Sequence, residues 1–287
     1  MRSLTMVALV ISLTGCSPSP QSSFSVEPNE VIDLGALVTA DLPERVWGKG
    51  LLAENGFDRP NSFDVIHHES EVGGGSVSVS NAYYTLFNHG GPHVDAPNHV
   101  GLEGGIDSYP VEAFVGPVKV FDMSRYPKGR SIPVEAFENQ SVLPGDVVLI
   151  YTAYTPPETD DAFPETVTLT PEAAEYLANV PVRAYGTDAG SLGNLQAAPA
   201  DGDTITSRLI PIHHAFLSRG IPAFEELFNV DTLLGKENMF FVGVPLNIEN
   251  GDGIRCCGHR HYEGDRQCAL FHISRLPTLT TGCRAAV

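Results

Sequence analysis

The sequence predicts a mixed α/β fold that is built around a substantial β-sheet. Segments rich in β-branched and aromatic residues, which favour strands, outnumber the segments that carry helix signals. The two kinds of segment alternate loosely along the chain, so the pattern indicates the fold class and leaves the strand order open. With 287 residues and a hydrophobic content of 42%, the chain can bury a large core in one big domain or two.

The expected strands follow one another along the chain. Residues 31–37 are predicted to open the folded part as a short strand, and residues 76–87 alternate as a strand or hairpin that ends close to His89. The centre of the segment 145–153 is apolar throughout, which predicts a strand buried on both faces. Further strands are expected over residues 116–122, 182–187, 240–246 and 269–273.

Two segments carry helix signals. Residues 170–172 read Thr-Pro-Glu, which supplies an N-cap, a proline at the first helical position and an acid in the first turn, so a helix is expected to about residue 178. A second helix is expected over residues 211–219, closed by the glycine that follows it. His213 lies one turn before Leu217 on this helix, so its side chain is expected to face the protein.

The chain is strongly acidic. It has 17 Lys and Arg residues against 35 Asp and Glu residues, which leaves a net charge of -18. A surface of this charge argues against nucleic acids and anionic membrane surfaces as partners.

The amino terminus has the pattern of a lipoprotein signal peptide, assigned to residues 1–15. A short positive start is followed by an apolar segment over residues 6–13 that is too short to span a bilayer. Residues 13–16 read Leu-Thr-Gly-Cys and look like a bacterial lipobox, in which Cys16 is lipidated after cleavage. Residues 16–28 are then expected to act as a tether to the cell envelope, either periplasmic or at the outer membrane. A plain secretory signal with a chance cysteine is the alternative.

Four further cysteines lie near the carboxyl terminus: Cys256, Cys257, Cys268 and Cys283. An even number of clustered cysteines in an exported protein predicts disulfides. Because a bridge between the adjacent Cys256 and Cys257 would be strained, each is expected to pair with Cys268 or Cys283, in either order. The competing interpretation is a zinc knuckle that would add three nearby histidines, His259, His261 and His272.

The most informative stretch is residues 89–99, which read His-Gly-Gly-Pro-His-Val-Asp-Ala-Pro-Asn-His. Neutral imidazoles together with a carboxylate form a nitrogen and oxygen site that suits Zn or Mn. Because Gly-Gly-Pro cannot occupy a helix interior, the backbone must turn and can bring His89, His93 and Asp95 to one point. The alternative is a polar surface loop that happens to be rich in histidine. The sequence therefore predicts a metal site here.

The same stretch resembles the H-x-G-T-H-x-D-x-P-x-H signature of the metal-dependent cyclase family, which includes bacterial kynurenine formamidase and isatin hydrolase. Further blocks are similar to the family in the right order, over residues 106–118, 144–150, 169–174 and 213–225. The resemblance covers about residues 29 to 250. Residues 29–287 are accordingly assigned to one cyclase-like metal hydrolase domain, with residues 255–267 as an insertion.

The resemblance implies a fold, an assembly and a set of site residues. The fold is an α/β swivelling arrangement of the β/β/α type around a central barrel-like mixed sheet, assembled as a homodimer or homotetramer. His89, His93 and Asp95 would hold a first metal ion. His213 and Glu225 would hold a second one, with Asp95 bridging, although a buried helical histidine is by itself more often a core residue than a ligand. The resemblance assigns His99 to proton transfer.

Three departures from the family pattern touch the expected pocket and therefore bear on the substrate. Pro92 stands where the family has Thr, which removes a hydroxyl and a backbone N–H. Val100 replaces a common Phe, so that an aromatic wall would have to come from Phe87, Trp47 or elsewhere. The segment 255–267 brings its own cysteines.

These residue types favour hydrolysis of a formamide, a cyclic amide or a related acyl bond. One or two divalent ions, Zn or Mn, would polarise a carbonyl and lower the pKa of a bound water toward about 7. His99 can accept a proton from that water and deliver it to the leaving nitrogen. The expected substrate is a small-molecule amide or lactam.

Two other functions fit the same residues. One is a non-catalytic envelope lipoprotein that binds a metal or a small ligand, and the other is an interaction protein with a structural metal in a closed shell of four ligands. His99 favours the enzyme, because a pure chelator needs no imidazole beyond its ligands. Kynurenine formamidase is usually a cytoplasmic activity, so a lipid-anchored protein leaves the substrate open.

Overall fold

The computed structural model describes residues 31–43, 52–53, 56–57, 59–156, 166–193, 205–256 and 274–275. Several predictions lie outside these residues: the signal peptide, the lipid anchor at Cys16, the tether, Trp47, the strand over 269–273, and the cysteines 257, 268 and 283. No helix in the described ranges is long and apolar enough to cross a membrane.

Bounds can be given for twelve strands and two α-helices of the described residues, here numbered in chain order. The strands are β1 (Ser62–Val72), β2 (Gly75–Thr85), β3 (His93–Asp95), β4 (Val115–Asp122), β5 (Ser131–Ile132), β6 (Val147–Tyr151), β7 (Thr168–Leu169), β8 (Ala184–Thr187), β9 (Ala223–Glu225), β10 (Met239–Val242), β11 (Gly253–Arg255) and β12 (Ser274–Arg275). The helices are α1 (Pro171–Asn179) and α2 (Ile205–Leu217), and a 3₁₀ turn covers Pro97–Val100.

A mixed sheet of eight strands forms the centre of the fold, in the order β11-β3-β9-β8-β6-β4-β10-β12. The four strands from β9 to β4 are parallel, whereas β3, β11, β10 and β12 pair antiparallel with their neighbours. Seven of these strands curl into a half-barrel, and the two-residue β12 extends its edge. The predicted mixed α/β class with a barrel-like sheet is therefore confirmed.

Both faces of this sheet are covered. On β6, Val148 and Ile150 belong to the apolar cluster that contains both helices, whereas Val147 and Leu149 belong to a second cluster on the other face. The prediction that this strand is buried on both faces is thus confirmed, as expected for the parallel part of a sheet.

The first helix follows its sequence signals. The Thr170 side chain accepts a hydrogen bond from the Ala173 N–H at 3.1 Å, and Pro171 occupies the first helical position. The second helix begins at Ile205, six residues before the predicted start, so Pro211 lies inside it. A proline is a usual sign of a first turn, but here Ile212, Ala215 and Phe216 are buried in the core. Their packing offsets the hydrogen bond that the proline cannot make.

One strand prediction is wrong, and another is confirmed but lacked its partner. Residues 31–37 form no strand. Leu34 is buried in the core, and the Phe228 N–H and the Asn229 side chain donate to the Leu34 and Asp33 carbonyls, but no ladder of backbone pairs forms. The segment expected over 76–87 is strand β2, and its partner β1 was not predicted. The predicted segment is therefore a single strand, and its hairpin is formed with β1, which lies outside the predicted range.

Candidate metal centre

Three neighbouring strands bring the central side chains of the site together. His93 and Asp95 are two residues apart on β3, so their side chains lie on the same face. In the antiparallel pair of β3 and β9, Glu225 lies directly opposite His93, which places its side chain on that face too. All three residues are buried. Glu225, some 130 positions further along the chain, thus reaches the motif through strand register.

The remaining predicted residues approach from loops and a helix. His89 lies in the connection between β2 and β3, residues 86–92, which we call the metal loop. His99 lies in the 3₁₀ turn after β3, and its ring centre is 4.3 Å from that of His89. The His213 ring on α2 lies 5.6 Å from the ring of His99. All six predicted site residues therefore converge.

Asp95 is at the centre of the cluster. Its Oδ1 lies 3.1 Å from His89 Nδ1 and 3.3 Å from His93 Nε2, and its Oδ2 lies 3.6 Å from His213 Nε2. Glu225 closes the other side, with Oε2 3.4 Å from His93 Nε2 and Oε1 3.2 Å from His213 Nε2. Three imidazoles thus surround two buried carboxylates.

The hydrogen bonds of the cluster leave three atoms that could bind a metal without partners. His93 Nδ1 lies 2.8 Å from the Gly91 carbonyl, which can only accept, so this nitrogen carries the proton. His93 Nε2 and both oxygens of Asp95 are buried and make no hydrogen bond. A buried imidazole nitrogen that faces two carboxylates needs a positive charge between them, supplied either by a proton on that nitrogen or by a metal ion. The donor set therefore fits a divalent ion.

Two groups of candidate ligands share Asp95. One consists of His89, Asp95 and His99, and the other of His93, Asp95 and Glu225, with the ligand atoms of each group within 4.8 Å of one another. This grouping differs from that implied by the family resemblance, since His93 lies with Glu225 and His99 is close enough to be a ligand.

Opposite charges shift the pKa values of these groups. Burial by itself would raise the pKa of Asp95, but the surrounding histidines, beginning with His99, hold it well below its usual range. Burial would lower the pKa of His93, but Asp95 and Glu225 hold it well above its usual value. Burial and the charge of Asp95 would raise the pKa of Glu225, but His213 and His93 lower it to about 2.

His99 differs from the other histidines of the cluster. Its side chain is exposed, whereas His89, His93 and His213 are buried. Desolvation by the crowded surroundings lowers the pKa of His99, and the neighbouring histidines add to this against the attraction of Asp95. A solvent-facing imidazole that favours its neutral form is suited to accept a proton.

Sequence reasoning missed Asp252, which supports His89. Its Oδ2 lies 3.2 Å from His89 Nε2, and its Oδ1 accepts a hydrogen bond from the Asn88 side chain at 2.7 Å. The hydrogen bond with His89 lowers the pKa of Asp252 to about 2. A carboxylate behind a metal-binding histidine orients its ring. Asp252 lies in an Asn-Gly-Asp-Gly turn far along the chain, so no local signal links it to His89.

Glu226 and Arg255 were also missed as parts of the site. Glu226 directly follows Glu225, is fully buried and accepts a hydrogen bond from the Gly91 N–H. Burial raises the pKa of Glu226 to about 8 and lowers that of Arg255 to about 10. Arg255, at the start of the predicted insertion, belongs to β11 and lies opposite His93 in the central sheet.

The residues that depart from the family pattern take clear positions. Pro92 is buried, and its carbonyl accepts the Cys256 N–H at 3.2 Å. Val100 is half-buried and packs against the apolar cluster that contains both helices. Phe87 lies edge-on to His89, with 6.3 Å between ring centres. Cys256 is buried, but its predicted disulfide partners lie outside the described residues, so that pairing stays a prediction.

The sequence matches the model of the Cyclase family over residues 32–194, more than half of the chain. It is 32% identical over 186 residues to a kynurenine formamidase of Salinibacter ruber, across 64% of this chain and 77% of that protein. It is 30% identical over 199 residues to a kynurenine formamidase of Geobacillus thermodenitrificans, across 68% of this chain and 85% of that protein.

Solved structures agree with this assignment at the level of the fold. An isatin hydrolase bound to the product analogue thioisatinate superposes with a TM-score of 0.60 at 22% identity, over 80% of this chain and 90% of that one. Isatin hydrolase A from Labrenzia aggregata gives a TM-score of 0.59 at 22% identity, over 86% and 94%. The fold implied by the resemblance is thereby confirmed. The chain belongs to the cyclase family.

Proposed function

We propose that this protein is a metal-dependent hydrolase of a formamide, a cyclic amide or a related acyl bond, with His99 as the residue that moves a proton. Its enzyme class is that of hydrolases acting on C–N bonds other than peptide bonds, the class of its kynurenine formamidase relatives. One observation carries the proposal. His93 Nε2 and both carboxylate oxygens of Asp95 are buried without a hydrogen-bond partner, and they belong to groups of side chains that could hold a divalent ion.

The proposed ligands are His89, His93, Asp95, His213 and Glu225. A bound Zn or Mn ion, or a pair of them, would supply a Lewis acid and lower the pKa of a water molecule. Asp252 holds the His89 ring through Nε2, so Nδ1 is left to face Asp95. The Leu192 N–H donates to Glu225 Oε1 at 2.6 Å and fixes the orientation of that carboxylate.

His99 is proposed to accept a proton from the attacking water and to deliver it to the leaving nitrogen. Its exposed ring borders the cluster between His89 and His213, where a substrate entering from solvent would meet it. A general acid and base of this kind contributes about 10²–10⁴-fold to the rate.

Relatives suggest which substrates to try first. The curated relatives are kynurenine formamidases, and the structural neighbours include isatin hydrolases, so an aryl formamide and a cyclic amide fused to an aromatic ring are the starting points. Phe87 stacks on Phe57 with 5.1 Å between ring centres and also adjoins His89, so it offers an aromatic surface beside the cluster. We propose a small aromatic amide as the substrate class.

The test is turnover by protein loaded with Zn²⁺ or Mn²⁺ of N-formylkynurenine, isatin and simple lactams. We expect hydrolysis of at least one compound, and we expect a chelator to abolish it. His99→Ala should lower kcat by about 10²–10⁴-fold while the metal content stays unchanged. His214→Ala is the matched control, because His214 is exposed on α2 and should leave the rate unchanged. Inactivity on the whole panel with both metals would refute the proposal, as would full activity of His99→Ala.

The cellular location and the assembly rest on the sequence alone. We propose a lipid-anchored envelope protein with a signal peptide over residues 1–15, an anchor at Cys16 and a tether over 16–28, which carries one hydrolase domain over 29–287. Incorporation of labelled palmitate that Cys16→Ser abolishes would support this location, and labelling that persists would oppose it. A homodimer or homotetramer is proposed as well, to be measured by light scattering.

A further inference from the structure

Two consecutive glutamates bracket the ring of His93. Glu225 Oε2 lies 3.4 Å from His93 Nε2, and Glu226 Oε2 lies 4.0 Å from His93 Nδ1. Neighbouring residues of a strand normally point to opposite faces. Glu226 follows the end of β9 and has a φ of 59°, so the chain turns there. Of these two glutamates, Glu225 faces His93 Nε2, the nitrogen proposed to bind the metal, whereas Glu226 approaches Nδ1, which carries the proton.

Glu226 acts on His93 through Gly91. The Gly91 N–H donates to Glu226 Oε2, and the Gly91 carbonyl accepts from His93 Nδ1–H at 2.8 Å. Gly91 has a φ of 109°, and a β-carbon there would lie 2.8 Å from the Leu42 side chain, so only glycine fits. Because Pro92 has no N–H, the peptide between Gly91 and Pro92 can hydrogen-bond only through the Gly91 carbonyl. The orientation of Gly91 therefore rests on Glu226.

Arg255 holds the metal loop at its other end. It lies opposite His93 in the pair of β3 and β11, is buried, and donates from Nε to the Phe87 carbonyl at 3.0 Å. Its guanidinium approaches Gly91, since Nη1 would be 3.3 Å from a β-carbon there. A buried carboxylate and a buried guanidinium thus contact the same short loop, and their opposite charges reduce the cost of burying each other.

We propose that Glu226 is a positioning residue, which fixes Gly91 so that His93 keeps its proton on Nδ1 and presents Nε2 to a divalent ion, while Arg255 fixes the loop at Phe87. The inference rests on the proposed metal site and extends it to residues that are not ligands. Supporting partners of this kind commonly change metal affinity by about 10–100-fold.

The test is a titration of metal-free protein with Zn²⁺ in competition with a chromogenic chelator, together with the visible absorption spectrum of the Co²⁺ form. Glu226→Leu keeps the bulk and removes the acceptor for Gly91, and it should weaken Zn²⁺ binding by about 10–100-fold and change the Co²⁺ spectrum. Glu226→Gln retains an acceptor oxygen and should bind within about threefold of the natural chain. Glu226→Ala replaces Glu226→Leu if the latter does not fold, with the same expected loss.

Asp146→Leu is the matched control. Asp146 is a buried carboxylate that accepts the Leu143 N–H at 2.9 Å, so its loss should lower stability and leave Zn²⁺ affinity unchanged. Natural affinity in Glu226→Leu, an equal loss in Asp146→Leu, or a loss in Glu226→Gln as large as in Glu226→Leu would each overturn the positioning role. Unchanged Zn²⁺ affinity in Asp95→Asn would instead refute the proposed metal site itself.

Discussion

The hairpin β1–β2 and the metal loop with β3 are consecutive in the chain and differ in how they are held. The hairpin has two strands of 11 residues that pair with each other and with no other described strand, and most of its side chains are exposed, with Tyr83 at 71% and Tyr84 at 65%. Strand β3 has three residues, all buried, between β9 and β11. An isolated two-stranded ribbon is marginally stable in water. We therefore expect the short, buried β3 to be more stable against local unfolding than the longer, exposed hairpin.

Asp95→Asn should have the largest effect, because it removes the charge that both groups of candidate ligands share. We expect Zn²⁺ affinity to fall by more than about 100-fold, beyond the loss typical of supporting residues. Metal content measured by mass spectrometry and a competition titration check this. Asp64→Asn, an exposed carboxylate on the hairpin, is the counterpart and should bind Zn²⁺ as the natural chain does.

Phe224→Ala should cost about 3–5 kcal/mol of unfolding free energy, because the side chain is fully buried against Phe241 with 5.0 Å between ring centres. Phe63→Ala makes the same change on the hairpin, where the ring is partly exposed and contacts Tyr84 edge-on. It should cost less than about 1 kcal/mol. Urea denaturation of the two variants measures the difference. Equal losses of unfolding free energy would contradict the contrast between the buried sheet and the exposed hairpin.

Asp252→Asn should weaken Zn²⁺ binding by about 10–100-fold, because the His89 ring loses a charged partner. Isothermal titration of metal-free protein measures it. Glu69→Gln on the hairpin, whose carboxylate accepts only a local hydrogen bond from Ser76, provides the contrast. Asp252 would have no supporting role if both variants kept the natural affinity.

Shortening the hairpin should have the smallest effect on the site. Residues 67–80 can be replaced by an Asn-Gly turn between Ile66 and Asn81, which are paired in the register and suit a two-residue connection. Zn²⁺ affinity should stay within about twofold, since the removed residues are mostly exposed and belong to a two-stranded sheet that is separate from the central one. Weaker Zn²⁺ binding by this variant would show that the hairpin supports the metal loop.

Much of the site was predictable because its signals are local. His89, His93, Asp95 and His99 lie within eleven positions, and their residue types indicate a metal whatever the surrounding fold. The first helix and the buried strand β6 could also be predicted, since a helix cap and an apolar run are each recognised within a few residues. The early start of α2 was missed because tertiary packing overrode the usual meaning of Pro211.

The sequence by itself determined the fold class, the chemistry of the motif and, through family resemblance, two distant candidate ligands. Only the tertiary structure decided that Glu225 lies opposite His93, that Asp252 supports His89, and that Glu226 and Arg255 hold the metal loop. The physical reason is the distance along the chain over which each kind of interaction acts. Residue type and spacing reveal interactions along a few positions, whereas a buried carboxylate is matched to its partner by strand register across more than a hundred positions.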